Sequence, residues 1–386
     1  MVDLARETLL PVLEARLGRM VRKLVENRGV RHAVVAVGRS DGSPLWVGTA
    51  GPADEAGTPM TADTPYFLAS VTKLYIATAT LRLLEQGRVS LDAPMAEYLP
   101  AELVAGLHVR KGVDRTDEIT VRHLLGHATG LPEYLVIRPP GGKSLFDFVA
   151  AGGDGKWSVK EIADLVREHG RPEFPPRPFD GHRHTIRYSD TNFQLLIAII
   201  QAVTAASLQE AFDDLIFKRL GLEHTFLPGS PAAAAALPAP AAVWLGDRRL
   251  DVLTGAMQSF NDLFGTARDA LRFMAALVSG AAFEDPATAR LLTAHWNPLA
   301  LSLSLRPVGP GWPMEYGLGT ARFRMPRLLT PFRPMPEVVG HTGVTGSWLF
   351  HCPDLDVITA GTVDQATAAA VPYRFVPRLL RVLRET

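Results

Sequence analysis

The first informative feature of this sequence is its shortage of cysteine. Cys352 is the only cysteine among 386 residues, which excludes a disulfide within the chain and any cysteine-rich metal site. No lysine or arginine lies near it in the sequence to lower the pKa of its thiol. We therefore expect Cys352 to be a buried, unreactive apolar residue.

Net charge and long apolar runs are also absent. Lysine and arginine together number 40, as do aspartate and glutamate, so no overall field favours nucleic acid or a membrane surface. No run reaches the roughly 18 apolar residues of a transmembrane helix, and the first 29 residues mix acids and bases, unlike a signal peptide. We predict a cytoplasmic protein with a small-molecule partner, without nucleic-acid or membrane partners; the oligomeric state stays open.

Apolar residues make up 47% of the chain, enough for a core of one large or two smaller domains. Strand-like segments lie near both ends, including a hairpin around "SDGS" and the stretch "VVGHTGVTGSWLFHCP". The middle is mostly helical, with a proline-rich stretch before Tyr188 and a low-complexity stretch, "GSPAAAAALPAPAAV", predicted as a loop. This order predicts an α/β domain interrupted by a large helical insertion.

The segment "FLASVTKLYIATATLRLLEQG" carries the first chemical signal. Ser70 and Lys73 are three residues apart on a predicted helix, so the lysine amine lies within reach of the serine hydroxyl. A neutral lysine there takes the serine proton and makes it a nucleophile. The alternative is an ordinary polar helix start, although the apolar surroundings indicate a buried lysine, which needs a partner.

Two later segments add candidates. In "RYSDTNFQLL", Tyr188 is either a proton relay or a core aromatic, and Asp190 or Thr191 is a candidate N-cap of a helix starting at Asn192. In "VVGHTGVTG", the glycines indicate either a strand that a ligand approaches closely or a bulged edge strand with a solvent-exposed His341.

In order and spacing, "SVTK", "YSD" and "HTG" resemble the motifs of the serine β-lactamase and penicillin-binding-protein superfamily. The closest branch is that of class C β-lactamases, DD-carboxypeptidases and family VIII esterases. The resemblance covers roughly residues 29–363. It implies an antiparallel sheet flanked by helices, with residues 1–75 and 262–386 as the α/β domain and 76–261 as the helical domain. The active site would lie at their junction.

The same resemblance implies roles for individual residues. Ser70 would be the acylated nucleophile, Lys73 its base and Tyr188 a proton relay. The backbone N–H groups of Ser70 and Val344 would form the oxyanion hole, each contributing about 3 to 4 kcal/mol in the transition state. The substrate-binding positions would be Asp190, His341, Thr342 and Gly343, and neither a metal nor a cofactor is implied.

Asp190 departs from the family motif, which usually has asparagine at that position. An ionised aspartate only accepts hydrogen bonds, so it cannot grip an amide carbonyl, and it favours a charged Lys73. We therefore predict a serine hydrolase acting on an ester or amide of a small molecule. The alternatives are a DD-carboxypeptidase or β-lactamase, an acyltransferase using the same acyl-enzyme, and a non-catalytic binding protein.

The remaining histidines and aromatics carry weaker signals. His123 and His127 have a helical metal-binding spacing, but no third ligand follows and Gly126 is expected to end the helix between them. We expect both to be structural and leave His182 and His184 unassigned. Three aromatic residues are either pocket walls or core: Trp312, Tyr316 and Trp348.

Overall fold

The computed structural model describes residues 2–26, 29–236, 238–300, 312–325, 328 and 334–385, with side chains from residue 11 onwards. Within these residues, the main sheet has nine strands. They are β1 (Ala33–Gly38), β2 (Pro44–Ala50), β3 (Ile186–Arg187), β4 (Asn297–Ala300), β5 (Met314–Tyr316), β6 (Ala321–Phe323), β7 (Val338–Thr342), β8 (Trp348–Cys352) and β9 (Val357–Thr362). Their spatial order is β2-β1-β9-β8-β7-β6-β5-β4-β3.

Neighbouring strands run antiparallel from β2 to β4, as expected. The edge strand β3 is an exception, because it pairs parallel to β4 with Ile186 opposite Leu299. This strand lies within residues 76–261, which the sequence predicts to be mostly helical. A two-residue strand has too few residues to show an alternating pattern, and the long helical connection from β3 to β4 permits the parallel pairing.

Thirteen α-helices are described, in chain order. They are α1 (Val2–Val25), α2 (Thr72–Glu85), α3 (Ala101–Val104), α4 (Val121–Leu125), α5 (Leu145–Ala150), α6 (Val159–His169), α7 (Asp190–Thr204), α8 (Leu208–Phe212), α9 (Lys218–Leu220), α10 (Pro231–Ala235), α11 (Thr254–Phe260), α12 (Ala267–Ser279) and α13 (Val371–Arg384). A π-helical turn, Asp213–Phe217, joins α8 to α9.

Shorter elements complete the described chain. Two-residue ribbons pair Tyr66–Phe67 with Phe264–Gly265, Val109–Arg110 with Val113–Asp114, and Trp244–Leu245 with Arg248–Arg249. The 3₁₀ turns are Ala69–Val71, Met95–Glu97, Thr116–Glu118, Tyr134–Val136, Pro286–Leu292, Pro353–Leu355 and Ala366–Ala368.

The sheet is covered on both faces. Strand β1 is buried along its whole length, with Val34 and Ala36 in one apolar cluster and Val35 and Val37 in another. The first cluster includes residues of α12, and the second includes residues of α1 and α13. Because alternate side chains of a strand point to opposite faces, a strand between two helical layers has an unbroken apolar sequence.

Helices α2 and α7 form the centre of the helical part. Every residue of α2 from Thr72 to Leu83 is buried, and so is α7 from Thr191 to Ile200. A helix that is apolar around its whole circumference is a core helix. Within the described residues no single helix is long and apolar enough to cross a membrane; α7 joined to 208–220 passes that test only across an 80° bend.

Several local predictions are confirmed. The hairpin β1–β2 forms, and α4 ends at Gly126. Two others are wrong. Helix α7 begins at Asp190, with Ser189 rather than Asp190 or Thr191 at its N-cap. The predicted alanine- and proline-rich loop contains α10, because Ser230 caps it and a proline occupies a first-turn position, where helices tolerate it. The domain boundaries stay a prediction.

Candidate active site

Ser70 lies in the tight 3₁₀ turn that leads into α2. Ala69, the residue before it, has a left-handed backbone with φ of 47°. The turn is fastened on two sides: the Leu68 N–H donates to the Leu263 carbonyl at 2.8 Å, and Ser347 Oγ donates to the Leu68 carbonyl at 2.7 Å. These bonds hold Ser70 at the wall of a cavity between the sheet and the helical part.

Lys73 lies one helical turn beyond Ser70, and its side chain is only 4% exposed. Its Nζ donates to Ser70 Oγ at 3.1 Å and forms an ion pair with the Asp190 carboxylate. Burial alone lowers the pKa of an amine, but the carboxylates of Asp190 and Asp262 outweigh it and raise the pKa of Lys73 above its ordinary value. In the resting site Lys73 is therefore an ammonium.

Tyr188 approaches the serine from the other side. It follows β3, and its hydroxyl donates to Ser70 Oγ at 2.8 Å. Burial and the nearby Asp190 carboxylate raise the pKa of Tyr188 well above its usual value, so it is a neutral phenol. The three residues singled out by the sequence motifs therefore meet at one atom, Ser70 Oγ.

His341 also lines the cavity, but it is not placed to act as a cation. Its Nδ1 lies 2.7 Å from the Thr342 carbonyl oxygen, and its Nε2 lies 3.1 Å from the Tyr316 hydroxyl. Burial and the positive charge of Lys73 lower the pKa of His341 to about 3. In these surroundings His341 is a neutral imidazole.

The predicted oxyanion hole lies at the contact between the serine turn and the loop after β7. Ser70, Thr342, Gly343 and Val344 all line the same cavity. Among the described residues, no acceptor takes the Val344 N–H, whereas the Gly343 N–H bonds the Ser347 carbonyl at 2.8 Å. The assignment of the Ser70 and Val344 N–H groups to an oxyanion remains a prediction that this placement supports.

Two carboxyl groups outside the three sequence motifs share the cavity. Glu133 is buried, and its Oε2 accepts the backbone N–H of Asp190 at 2.6 Å. Asp262 is partly exposed at the cavity wall. Burial, followed by repulsion from Asp190, raises the pKa of Glu133 to about 8. Burial raises the pKa of Asp262 to about 7. The positive charge of Lys73 lowers this pKa, and repulsion from Asp190 raises it.

Sequence signals for these two residues are weak. Glu133 follows a proline in "GLPEY", and Asp262 stands in "SFNDLF", without a motif partner nearby in the chain. A buried ionisable residue is visible only once the surrounding apolar elements are in place.

Beyond the polar groups, the cavity walls are largely apolar. One side is formed by residues of α5, α11 and the segments near them: Phe146, Val149, Ala150, Leu245, Leu250, Met257 and Phe260. The opposite side is formed by residues of the sheet edge: Leu299, Met314, Tyr316 and Ala321. Lys73 is the only lysine or arginine among the described lining residues.

Other side chains discussed from the sequence lie elsewhere. Trp348 is fully buried in the core, and Trp312 packs against Phe323 and Tyr373, so Tyr316 alone of the three aromatics lines the cavity. His123 completes the capping box of α4, which supports a structural role. His127 is buried with its ring centroid 4.4 Å from that of Tyr188.

The unassigned histidines, His182 and His184, and the cysteine are also not among the described residues that line the cavity. Cys352 is buried, and burial raises the pKa of its thiol to about 11, as expected for an inert residue. No group of three or more metal-ligating side chains is placed to hold a metal ion within the part of the chain described.

Comparison with known proteins agrees with this geometry. The family model Beta-lactamase matches residues 17–375, nearly the whole chain. The chain belongs to the Beta-lactamase family. It is 30% identical over 211 residues to the esterase EstB of Burkholderia gladioli, covering 54% of this chain and 50% of that protein. It is 26% identical over 228 residues to penicillin-binding protein 4 of Amycolatopsis lactamdurans, covering 56% and 51%.

Among solved structures, the fold resembles that of a D-stereospecific amidohydrolase from Streptomyces sp. The TM-score is 0.66 and the identity 25%, with 93% of this chain and 97% of that chain covered. The chain spans about half the length of the two curated relatives. Family membership and fold are therefore established, and the activity is argued below from the site.

Proposed function

We propose that this Beta-lactamase-family protein is a serine hydrolase that forms an acyl-enzyme on Ser70 and cleaves an ester or amide of a small molecule. The observation that carries the proposal is the convergence of two donors on one oxygen. Lys73 Nζ lies 3.1 Å and the Tyr188 hydroxyl 2.8 Å from Ser70 Oγ, at the wall of an apolar cavity. A serine oriented between two proton-carrying groups is suited to nucleophilic attack followed by protonation of the leaving group.

The reaction follows from these positions. Ser70 Oγ attacks the substrate carbonyl carbon, and the oxyanion is received by the N–H groups of Ser70 and Val344. Tyr188 is placed to pass a proton to the leaving group and, in the second half-reaction, to orient the water that releases the acyl group. Transfer to an alcohol or amine in place of water would make the protein an acyltransferase through the same intermediate.

The charges in the cavity favour substrates without a carboxylate. Asp190 pairs with Lys73, so the only ammonium among the described lining residues is already occupied, and His341 is neutral. Glu133 and Asp262 add further negative charge when ionised. A penicillin or a peptide ending in D-alanine would bring a carboxylate into a cavity whose described ammonium is already paired with Asp190. We therefore rank the DD-carboxypeptidase and β-lactamase alternatives below an esterase or amidase.

A second candidate is hydrolysis of amino-acid amides or esters with a free amino group. The observation that favours it is the excess of carboxyl groups, Glu133, Asp190 and Asp262, over the one lysine among the described lining residues. An ammonium group on the substrate would favour the ionised form of these carboxyl groups and pair with it. The related amidohydrolase from Streptomyces sp. is D-stereospecific by its name, which makes both enantiomers worth testing.

The test is intact-mass detection of the acyl-enzyme. Wild type is incubated with short p-nitrophenyl esters, D- and L-amino-acid amides, a penicillin and a fluorophosphonate. We expect an adduct on wild type and on Ser90→Ala, which changes an exposed serine, but not on Ser70→Ala. Lack of any adduct on wild type would favour a non-catalytic binding protein. Stoichiometric labelling by penicillin alone would favour the penicillin-recognising alternatives.

A further inference from the structure

Among the described residues, Ser70 has no free base bonded to its hydroxyl in the resting site. Its Oγ accepts hydrogen bonds from both Lys73 and Tyr188, so its own proton must leave for attack to occur. Lys73 is an ammonium paired with Asp190, and Tyr188 is a neutral phenol, so neither accepts that proton as they stand. The lysine must first give a proton to another group.

We propose that Asp190 is that proton acceptor, so that Ser70, Lys73 and Asp190 form a proton relay; this rests on the proposed acyl-enzyme function. Lys73 Nζ contacts both Ser70 Oγ and Asp190 Oδ1, and its side chain is 4% exposed. Within the described residues, Asp190 Oδ1 is the carboxylate oxygen that forms an ion pair with this amine. A proton leaving Lys73 therefore has a direct acceptor in the Asp190 carboxylate.

The relay balances in protons and charge. During attack, one Nζ proton passes to Asp190 Oδ1, the Ser70 hydroxyl proton passes to Nζ, and Oγ bonds to the carbonyl carbon. The site then holds an ammonium, a carboxylic acid and the substrate oxyanion, with the net charge unchanged. When the bond to the leaving group breaks, the leaving atom takes one proton by way of Tyr188. Lys73 replaces the proton that Tyr188 gave up, and Asp190 returns its own proton to Lys73. The site then again holds the Lys73 ammonium and the Asp190 carboxylate.

Other carboxyl groups crowd around the Asp190–Lys73 pair. Glu133 Oε2 accepts the Asp190 backbone N–H, and Asp262 lines the same cavity, so three carboxyl groups face one ammonium. Mutual repulsion among carboxylates favours retention of a proton within the set. Burial, together with this repulsion, raises the pKa of Glu133 to about 8 and the pKa of Asp262 to about 7. The other titratable groups around these three carboxyl groups are Tyr188, Tyr316, His127 and His341. The pKa values of His127 and His341 are lowered, so both imidazoles are neutral.

Asp190→Asn tests the relay because it preserves shape and removes the proton acceptor. The acylation rate is measured from pH 5 to 10 with the best p-nitrophenyl ester found for wild type. We expect a fall of about 100-fold at pH 7, within the range for loss of a proton-transfer group. We also expect the variant to recover towards alkaline pH, because Lys73 must then lose its proton to solvent. Asp190→Glu, which keeps a carboxylate, is expected to retain more activity at pH 7 than the asparagine variant.

Thermal unfolding of both variants shows whether the fold is kept. The proposal is overturned if Asp190→Asn acylates at pH 7 as fast as wild type or faster, since Asp190 would then merely hold Lys73 in its charged form. It is also overturned if the rate falls equally at every pH, which is the result of a structural role. Absence of acylation in wild type itself would instead overturn the proposed function, and the relay with it.

Discussion

Ala69 packs directly against Gly343, joining the turn that carries the nucleophile to the strand end that carries the predicted oxyanion donor. Ala69 is fully buried with φ of 47°, a conformation that costs a non-glycine residue about 1 to 2 kcal/mol. A β-carbon built on Gly343 would lie 2.7 Å from Ala69 Cβ and 2.8 Å from the Leu68 carbonyl oxygen. Only glycine at position 343 allows the two backbones to approach this closely.

Gly343→Ala is therefore expected to push the strand end away from the serine turn. We predict a loss of about 1 to 3 kcal/mol in the free energy of unfolding, as for overpacking of a core, together with a large fall in kcat. Gly142→Ala is the control, because its new β-carbon would meet Pro139 at an ordinary 3.5 Å. Urea unfolding and ester hydrolysis measure the two effects, and unchanged activity in Gly343→Ala would contradict the predicted oxyanion site.

Tyr188→Phe removes the hydroxyl that donates to Ser70 Oγ at 2.8 Å. We expect kcat to fall by about 100- to 10,000-fold with little change in KM, since the lost group transfers a proton rather than binding substrate. Tyr75→Phe is a matched control: Tyr75 is also buried, and its hydroxyl has no hydrogen-bond partner within the described structure. If the two variants showed equal kcat, Tyr188 would have no role in proton transfer.

Phe146→Ala tests whether the apolar wall receives the acyl chain. Phe146 lines the cavity from α5, whereas Phe148, on the same helix and similarly exposed, is not among the lining residues. Loss of part of an apolar contact, about 1 kcal/mol, is expected to raise KM for octanoyl esters roughly fivefold. Acetyl esters should be unaffected, and Phe148→Ala should change neither. Equal effects on both ester lengths would show that the acyl chain lies elsewhere.

Asp262 is expected to make stability depend on pH between about 4 and 7. Its pKa is raised from 3.8 to about 7 on folding. Its contribution to the free energy of unfolding is therefore fully favourable below pH 4 and is lost as pH rises to 7. Asp262→Asn removes this dependence. The free energy of unfolding of the variant minus that of wild type should therefore be larger at pH 8 than at pH 4. Asp63→Asn, at an exposed ion pair with Arg268, serves as control. The midpoints of urea unfolding are measured at the two pH values. A difference between variant and wild type that is the same at both pH values would contradict the raised pKa.

Much of the architecture was predictable because it depends on local pattern. Strands β1 and β2 form the hairpin expected from its turn residues, and α4 ends at the glycine expected to end it. The parallel edge strand β3 was not predictable, because two residues carry too little pattern and their pairing depends on β4, more than a hundred residues later. The helix α10 was hidden by its composition, since alanine and proline also dominate disordered segments.

By itself, the sequence determined the candidate chemistry: a serine and a lysine three residues apart share one side of a helix through helical geometry alone. Only the tertiary structure decided the charge state of that lysine. Asp190, Glu133 and Asp262 come from three distant segments, and their convergence around Lys73 depends on how the helical part packs on the sheet. Burial removes the water that would screen these charges, so Glu133 and Asp262, whose sequence signals are weak, act with Asp190 to set the proton affinities of the site.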